Sequence, residues 1–562
     1  MSNFTISEPL FLVPCRENSS EKTELDAFIR LLDESGAFGI IGEYDSVASA
    51  TGRPRFDSKM LLALLLYGFS ICDCSLRELE DRCRYDMRFL YLSSGRVPSY
   101  ATFCSFINKS FLPRSARILT AVTKKAAEKM GVSILENVYI DGSKFEANAN
   151  KYKFRFKSEK RVSNLYGRFS SLMTEVGIKA ATGIGMKEMI AEMERCLSLL
   201  KEEIEKGGKR VEDIKTGRGI RNPRNESSYV KACAMLSKMK EYEMTEKICG
   251  PDRNSYYLTD HDATAMCLKE DYYSGLGSNM HAAYNVQYAV SNGFIIAIHV
   301  SQDRSDSRTF PIFLKKIKQM YGRFPTNVCA DAGYGSARNY EFIRNEGIGN
   351  YVKFTTWKKE VSGEQPPRYR MDGNGKIVCL LGRELARVED GKDKSEKRRF
   401  SSYRADCRGC PYKKYCNKGR KAKRAASKVF EIDVKALKSK EEARANLLSV
   451  KGIELRVNRS IQVEGSFGIM KQDKQYARFR RRSLERTDVE MLLNCIGLNI
   501  AKYMRFLRTG HSPEYWKAPE GTEAEKEHKI SRTIKKGGRK AQRKQPNEKA
   551  RKYKYREAKR KG

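Results

Sequence analysis

Over the first 130 residues, apolar positions recur three and four apart, the spacing that predicts helices. Ser58-Lys-Met-Leu-Leu-Ala-Leu-Leu-Leu-Tyr67 reads as one compact apolar helix. Ser75-Leu-Arg-Glu78 has the form of a capping box. Leu79, Cys83, Met87 and Leu90 continue behind it at helical spacing, and Ser99 is placed to cap a short helix holding Phe103, Phe106 and Ile107. Arg77, Arg82, Arg84, Arg88 and Lys109 lie among these helices. The segment therefore reads either as a helix-turn-helix-like nucleic-acid-binding module or as an ordinary helical bundle.

The pattern changes at residue 137. Val138-Tyr-Ile-Asp-Gly-Ser predicts a strand ending in a turn. Residues 155–245 then turn to charged helix, with Met186, Met189, Ile190, Met193, Leu197, Leu200 and Ile204 forming one apolar stripe. Such a stripe serves as core or as the seam between two helices, so we read a helical insertion. Strands return at about 281–300, where Ser291-Asn-Gly293 predicts the turn of a hairpin. A helix at about 308–322 leads to a strand ending in Asp331. A helix at about 336–346 and a strand at 350–355 follow. Strands first, then strand–helix alternation, imply a mixed α/β sheet. Residues 357–425 are polar and bear cysteines, which marks a second insertion. Helices resume at about 433–449, 453–472 and 484–508.

A chain of 562 residues is too long for one ordinary core. The expected divisions are an N-terminal helical domain over 1–130, an α/β domain over 131–508 carrying both insertions, and a basic tail over 509–562. Charge sharpens the picture. The chain has 108 Lys+Arg against 69 Asp+Glu, a formal net charge of +39. A surplus that large repels itself and favours a polyanionic partner, nucleic acid first and an anionic membrane second. No apolar run is long enough to span a bilayer, and the first residues do not read as a signal peptide. Fifteen scattered cysteines in so long a chain read as reduced thiols, which predicts the cytoplasm. Residues 529–562 hold 16 Lys/Arg against two Glu, a composition expected to be disordered and to hold phosphate backbone without sequence preference.

Three segments carry candidate chemistry. Tyr139-Ile-Asp141-Gly-Ser-Lys-Phe-Glu-Ala-Asn-Ala-Asn150 delivers a carboxylate from a strand just before glycine. Val328-Cys-Ala-Asp331-Ala-Gly-Tyr-Gly335 does the same. Either Asp alone could simply make an Asx-type turn. In Arg459-Ser-Ile-Gln-Val-Glu464-Gly-Ser-Phe-Gly-Ile-Met-Lys471, an α-helix would put Glu464, Phe467, Gly468 and Lys471 on one face. Glu464 and Lys471 could then share a cleft, or form a surface charge pair.

Taken together these segments resemble the DDE transposases of bacterial insertion sequences. These are RNase H-like enzymes, in the branch whose last motif is Tyr-x2-Arg-x3-Glu-x6-Lys. The resemblance runs over most of the chain, including the N-terminal helices. It implies a mixed five-stranded RNase H-like sheet and a metal-binding triad of Asp141, Asp331 and Glu464. Lys471, at the Glu-x6-Lys spacing, would contact phosphate. Arg459 departs from the pattern, standing five residues before Glu464 where four are expected; Ser460 holds the expected place. The tyrosine is absent, since Arg456 stands seven residues before Glu464. Asp262 lies where the family often carries an Asp-x-Asp-Ala-like segment, and would support the site, contact DNA or be a loop residue. Asn285 and Gln287 alternate along a strand, placed either near the metals or as exposed polar positions.

Phosphodiester chemistry explains the need for carboxylates. Two divalent ions about 4 Å apart activate the attacking oxygen and stabilise the leaving one. Mg²⁺, or Mn²⁺ in its place, takes hard oxygen ligands. The expected assignment has Asp141 shared between the ions, Asp331 completing one and Glu464 the other. Water would free a 3′-hydroxyl at the element's end, and that hydroxyl would attack target DNA. The implied partners are double-stranded DNA, at the terminal inverted repeats and at the target, and a second copy of the chain. The implied place is the bacterial nucleoid. A related nuclease that cleaves without joining, a catalytically silent DNA-binding protein and a basic RNA-binding protein are the alternatives. Separately, Cys407-x2-Cys410-x5-Cys416, with Cys379 as a fourth ligand, suits a closed structural zinc site, an iron–sulfur cluster or plain reduced thiols.

Overall fold

A computed structural model describes residues 20–43, 55–71, 75–180, 183–217, 220–268, 280–364, 367–388, 397–412, 416 and 428–524. The basic tail expected over 529–562 lies outside the described residues. The chain divides into two compact units. One runs to Lys353 and resumes over Lys451–Glu520; the other is built on Phe354–Val450.

The first unit opens with helices. Ser75 accepts from the Glu78 N–H at 3.1 Å and starts Leu76–Tyr85; Ser99 accepts from Thr102 N at 3.3 Å and starts Tyr100–Phe106. The expected run through Met87 and Leu90 is broken. Asp86 is extended, and its carboxylate accepts from the Arg88 N–H and starts a new helix, Met87–Ser93. That resets the helical phase, so Phe89 is buried and Met87 is exposed.

Eight strands follow in this unit. They are β1 (Asn137–Glu146), β2 (Phe154–Phe156), β3 (Ser255–Tyr257), β4 (Thr264–Cys267), β5 (Met280–Ser291), β6 (Phe294–Ser301), β7 (Asn327–Ala330) and β8 (Gly349–Val352). Their main sheet has six strands rather than the expected five. Strand β5 runs antiparallel to β1, while β7 is parallel to β1 and β8 parallel to β7. The outer edge of β5 is long enough for two partners end to end. Its first residues pair with β4, the added strand, and Asn285–Ser291 pair with β6. The β5–β6 turn is the expected one, with Asn292 and Gly293 both at positive φ.

Between β2 and β3 lie three helices, Glu159–Glu175, Met186–Lys206 and Arg224–Cys249. Their apolar stripes close on one another: Phe169, Met173, Met189, Met193, Cys196 and Met239 form a core of their own. The predicted stripe is thus a helix seam and not a ligand site.

Helix Leu484–Thr509 is buried along most of its length and packs on β6 and on helices Ser58–Ile71 and Ser115–Lys129. Asp262 serves this helix. Its Oδ2 accepts from the Leu484 N–H at 2.9 Å, and Asp260 Oδ1 accepts from Ser483 N at 3.1 Å. Both satisfy N–H groups that a helix start leaves without an intrahelical partner. Midway along, Gly497 meets the Phe69 backbone so closely that a Cβ there would lie 2.2 Å from the Phe69 carbonyl oxygen. Gly497→Ala is therefore expected to destabilise the protein by about 1–3 kcal/mol. The roughly 1 kcal/mol that alanine gains in helix propensity does not offset it. Denaturant titration of the two proteins measures the difference.

The second unit holds a hairpin, β9 (Tyr369–Met371) with β10 (Ile377–Cys379), and a small antiparallel sheet of β11 (Ala386–Arg387), β12 (Lys397–Ser401) and β13 (Val429–Asp433). Ile377, Leu385, Phe430, Ile432 and Leu437 form its buried core. Among the described residues no single helix is long and apolar enough to cross a membrane.

Candidate active site

Two parallel strands bring the first carboxylates together. The last residue pair between β1 and β7 is Ile140 with Ala330, and the next residue in each strand is Asp141 and Asp331. Strand β7 ends there, whereas β1 continues to Glu146 against β5. Asp141 is thus mid-strand, not at a strand end. It lies exposed to the site because its neighbour stops, not because its own strand does.

Gly142 makes this possible. A Cβ on it would stand 2.9 Å from Asp306 Oδ1 and 3.1 Å from both Gln287 Nε2 and the Tyr334 hydroxyl. Those groups form one network, of which Gln287 and Tyr334 are buried and Asp306 partly so. Asn285 Nδ2 donates to Asp306 Oδ1 at 2.7 Å, Gln287 Nε2 donates to the same oxygen at 2.9 Å, and Tyr334 OH donates to Gln287 Oε1 at 2.8 Å. Asn285 and Gln287 are accordingly buried, not exposed strand polars. Gly142→Ala is expected to lower the activity of this site by roughly 10–100-fold, the cost of disturbing groups that orient a functional side chain. Folded protein should be retained, because the contacts are with side-chain ends; activity and circular dichroism on the same preparation check both.

The third carboxylate comes from helix Val450–Arg459 and its continuation. Ser460–Glu464 is a π turn. A π turn accommodates one residue more than an α turn. Arg459, five before Glu464, is therefore brought onto it, and the odd spacing in the sequence is absorbed by the backbone. Arg459 Nη2 donates to Glu464 Oε1 at 2.8 Å, and Nη1 to Asp141 Oδ2 at 2.9 Å; Nη2 stands 4.0 Å from Asp331 Oδ1. Ser460 Oγ donates to Glu464 Oε2 at 2.8 Å. All three carboxylates predicted from sequence thus gather on one guanidinium.

Exposure separates the members. The Arg459 side chain is 6% exposed and that of Asp141 23%, against 50% for Asp331 and 52% for Glu464. Burial raises the Asp141 carboxyl above its ordinary value, outweighing Arg459 and the Gly142 N–H. Burial also pulls Asp331 upward, but Arg459 and Lys353 hold it below its ordinary value. Lys353 Nζ lies 3.3 Å from Asp331 Oδ1.

Lys471 stands in a second π turn, Ile469–Asp473, so straight α-helical geometry does not place it. Phe467, expected on the Glu464 face, instead stacks on Tyr288 at 4.1 Å between ring centres. The Lys471 ammonium donates to Ser143 Oγ at 2.7 Å and to Lys144 O at 2.8 Å, on β1 just beyond Asp141.

As the side chains stand, no group of three or more His, Cys, Asp or Glu among the described residues could hold a metal ion. The cation that unites the carboxylates is Arg459. The donor set nevertheless fits a hard divalent ion in kind: three carboxylates reach one positive centre, and two are half exposed to solvent. Sequence reasoning missed Asp306, Tyr334 and Lys353. Asp306 begins a helix, where an acid is commonplace, and Tyr334 was visible only as part of the Ala-Asp-Ala-Gly-Tyr stretch. Nothing in the sequence marked Lys353.

Residues 378–504 match a family described as transposase DDE domain, and residues 14–109 match one described as transposase domain (DUF772). The first match contains Arg459, Glu464 and Lys471; the second contains the short capped helices. No curated protein and no solved structure gives a significant match.

Proposed function

We propose that the chain, which matches two transposase domain families, is a DNA transposase of the insertion-sequence DDE kind, with Asp141, Asp331 and Glu464 as its catalytic carboxylates. The observation that carries this is the single guanidinium, Arg459, on which all three converge from elements remote in the sequence. The strand order β6-β5-β1-β7-β8, in which β5 alone runs antiparallel to β1 and β6, β7 and β8 run parallel to it, supports an RNase H-like reading of the sheet. In that reading β4 is an addition, and residues 155–245 and 357–425 are insertions into a catalytic domain over 131–508.

The residues divide the work by position. Asp141 is the least exposed carboxylate and the one fixed by the Gly142 N–H, so it is the shared ligand. Asp331 and Glu464, open to solvent, complete the set on either side. Two Mg²⁺ or Mn²⁺ ions, when bound, supply activation of the attacking oxygen and stabilisation of the leaving one. Arg459 and Lys353 balance part of the carboxylate charge. Lys471, anchored on β1, presents a positive charge beside Asp141 for a DNA phosphate. Asn285, Gln287, Asp306 and Tyr334 hold the strand that carries Asp141. The short N-terminal helices over 1–130 and the basic tail over 509–562 bind DNA, including the terminal inverted repeats. A dimer pairs the two element ends, and the enzyme works at the nucleoid.

The test uses the full chain with DNA ending in the inverted repeats that flank its gene. Cleavage at the ends, followed by joining to a target plasmid in Mg²⁺ or Mn²⁺ but not in EDTA, is the expected result. Cleavage without joining of pre-cut ends would favour the nuclease reading instead.

A further inference from the structure

In the second unit the structure brings Cys379 to one pocket with three cysteines that lie about thirty residues further along the chain. Cys379, Cys407, Cys410 and Cys416 line it together with Leu385 and Phe430. Each pair of contributing segments is a tight turn. Cys379 begins one: the Gly382 N–H donates to the Cys379 carbonyl at 2.9 Å, and the Cys379 N–H to the Arg383 carbonyl at 2.8 Å. Gly382 has φ +79°. Cys407-Arg-Gly-Cys410 is the other, with Gly409 at φ +73°. A left-handed residue inside such a turn lets two nearby groups face the same point, the arrangement used where short cysteine spacings grip one ion. All four thiols are free, half-buried and not in disulfides.

We propose that these four cysteines bind one structural zinc ion. As they stand, no three are placed to share an ion, so binding draws the two turns together. Each thiol gives its proton to solvent as its sulfur bonds to the metal. Four protein thiolates close the tetrahedron and leave no position for substrate, so the ion is structural and takes no part in strand cleavage. The physical need is clear from the unit's interior. Around the cysteines the apolar cluster is small, with five buried side chains among the described residues, and a small cluster of this kind gains stability from a metal cross-link. The ion ties the β9–β10 hairpin to the loop that follows β12. Leu385 and Phe430 line the pocket together with the charged Arg383, Glu384, Asp406 and Lys428, and Cys407 Sγ lies 3.1 Å from Ser402 Oγ.

Elemental analysis of the full chain, purified without chelator and dialysed, tests this without DNA, so it stands or falls apart from the transposase reading. About one zinc per chain is expected. Cys410→Ser and Cys416→Ser should each lower it at least tenfold, and Cys233→Ser, an exposed thiol elsewhere, should leave it unchanged. Because either loss variant could misfold, a mercurial titration of the wild-type protein is run alongside. Zinc release should track thiol modification and be complete only once the four cluster thiols have reacted, in addition to accessible thiols elsewhere such as Cys233. Wild-type protein lacking zinc, iron with sulfide in its place, zinc retained in both serine variants, or release unlinked to thiol modification would each overturn the proposal.

Discussion

Asp141→Asn, Asp331→Asn and Glu464→Gln should each abolish end cleavage and strand transfer while leaving DNA binding near the wild-type level. The amide keeps the shape of the carboxylate and removes the charge that a divalent ion requires. Loss of a group that merely supports a ligand costs roughly 10–100-fold, and loss of a ligand itself should exceed that. Asp141→Asn is expected to be the most severe, since that carboxylate is the one proposed to be shared. It is also the most rigidly held, between Arg459 Nη1 and the Gly142 N–H. The measurement is single-turnover nicking of a labelled end in Mg²⁺, with a gel-shift on the same preparations. Wild-type nicking by any one of the three variants would remove that residue from the triad.

Arg459→Ala should be the variant with the largest dependence on metal. Without metal, its guanidinium holds Asp141 and Glu464 by one hydrogen bond each, at 2.9 and 2.8 Å, and neighbours Asp331. A bond to a charged partner contributes about 1.5–3 kcal/mol. The Glu464 share is screened by solvent, because that side chain is half exposed. We expect a loss near 2 kcal/mol in EDTA, seen as a fall in melting temperature of a few degrees. Saturating Mg²⁺ should recover much of it, because a divalent ion supplies the positive charge the variant lacks. Arg459→Lys should recover less than its charge suggests, since one ammonium cannot reproduce a planar fork spanning two carboxylates. Equal melting losses with and without Mg²⁺ would mean that Arg459 supports the fold and not the carboxylate cluster.

Most local elements, and the candidate acids, were legible from the residues alone. Spacing of three and four marked most of the N-terminal helices, though not the break at Asp86; serine caps marked two of their starts, and an Asn-Gly pair the β5–β6 turn, because each of these signals acts within a few residues. The three acids were legible as residues because each follows an apolar strand or lies in a motif segment with unusual small neighbours. Only the tertiary structure decided how they meet. That Asp141 faces the site depends on β7 stopping at Ala330, a property of the partner strand. That Arg459 reaches Glu464 depends on a π turn, which adds a residue to the backbone without any local residue type demanding it. The burial of Asn285 and Gln287 follows from Asp306, which approaches from a different element. Asp262 caps a helix more than 200 residues away. Each of these is settled by a neighbour distant in the chain, and local sequence carries no record of who that neighbour is.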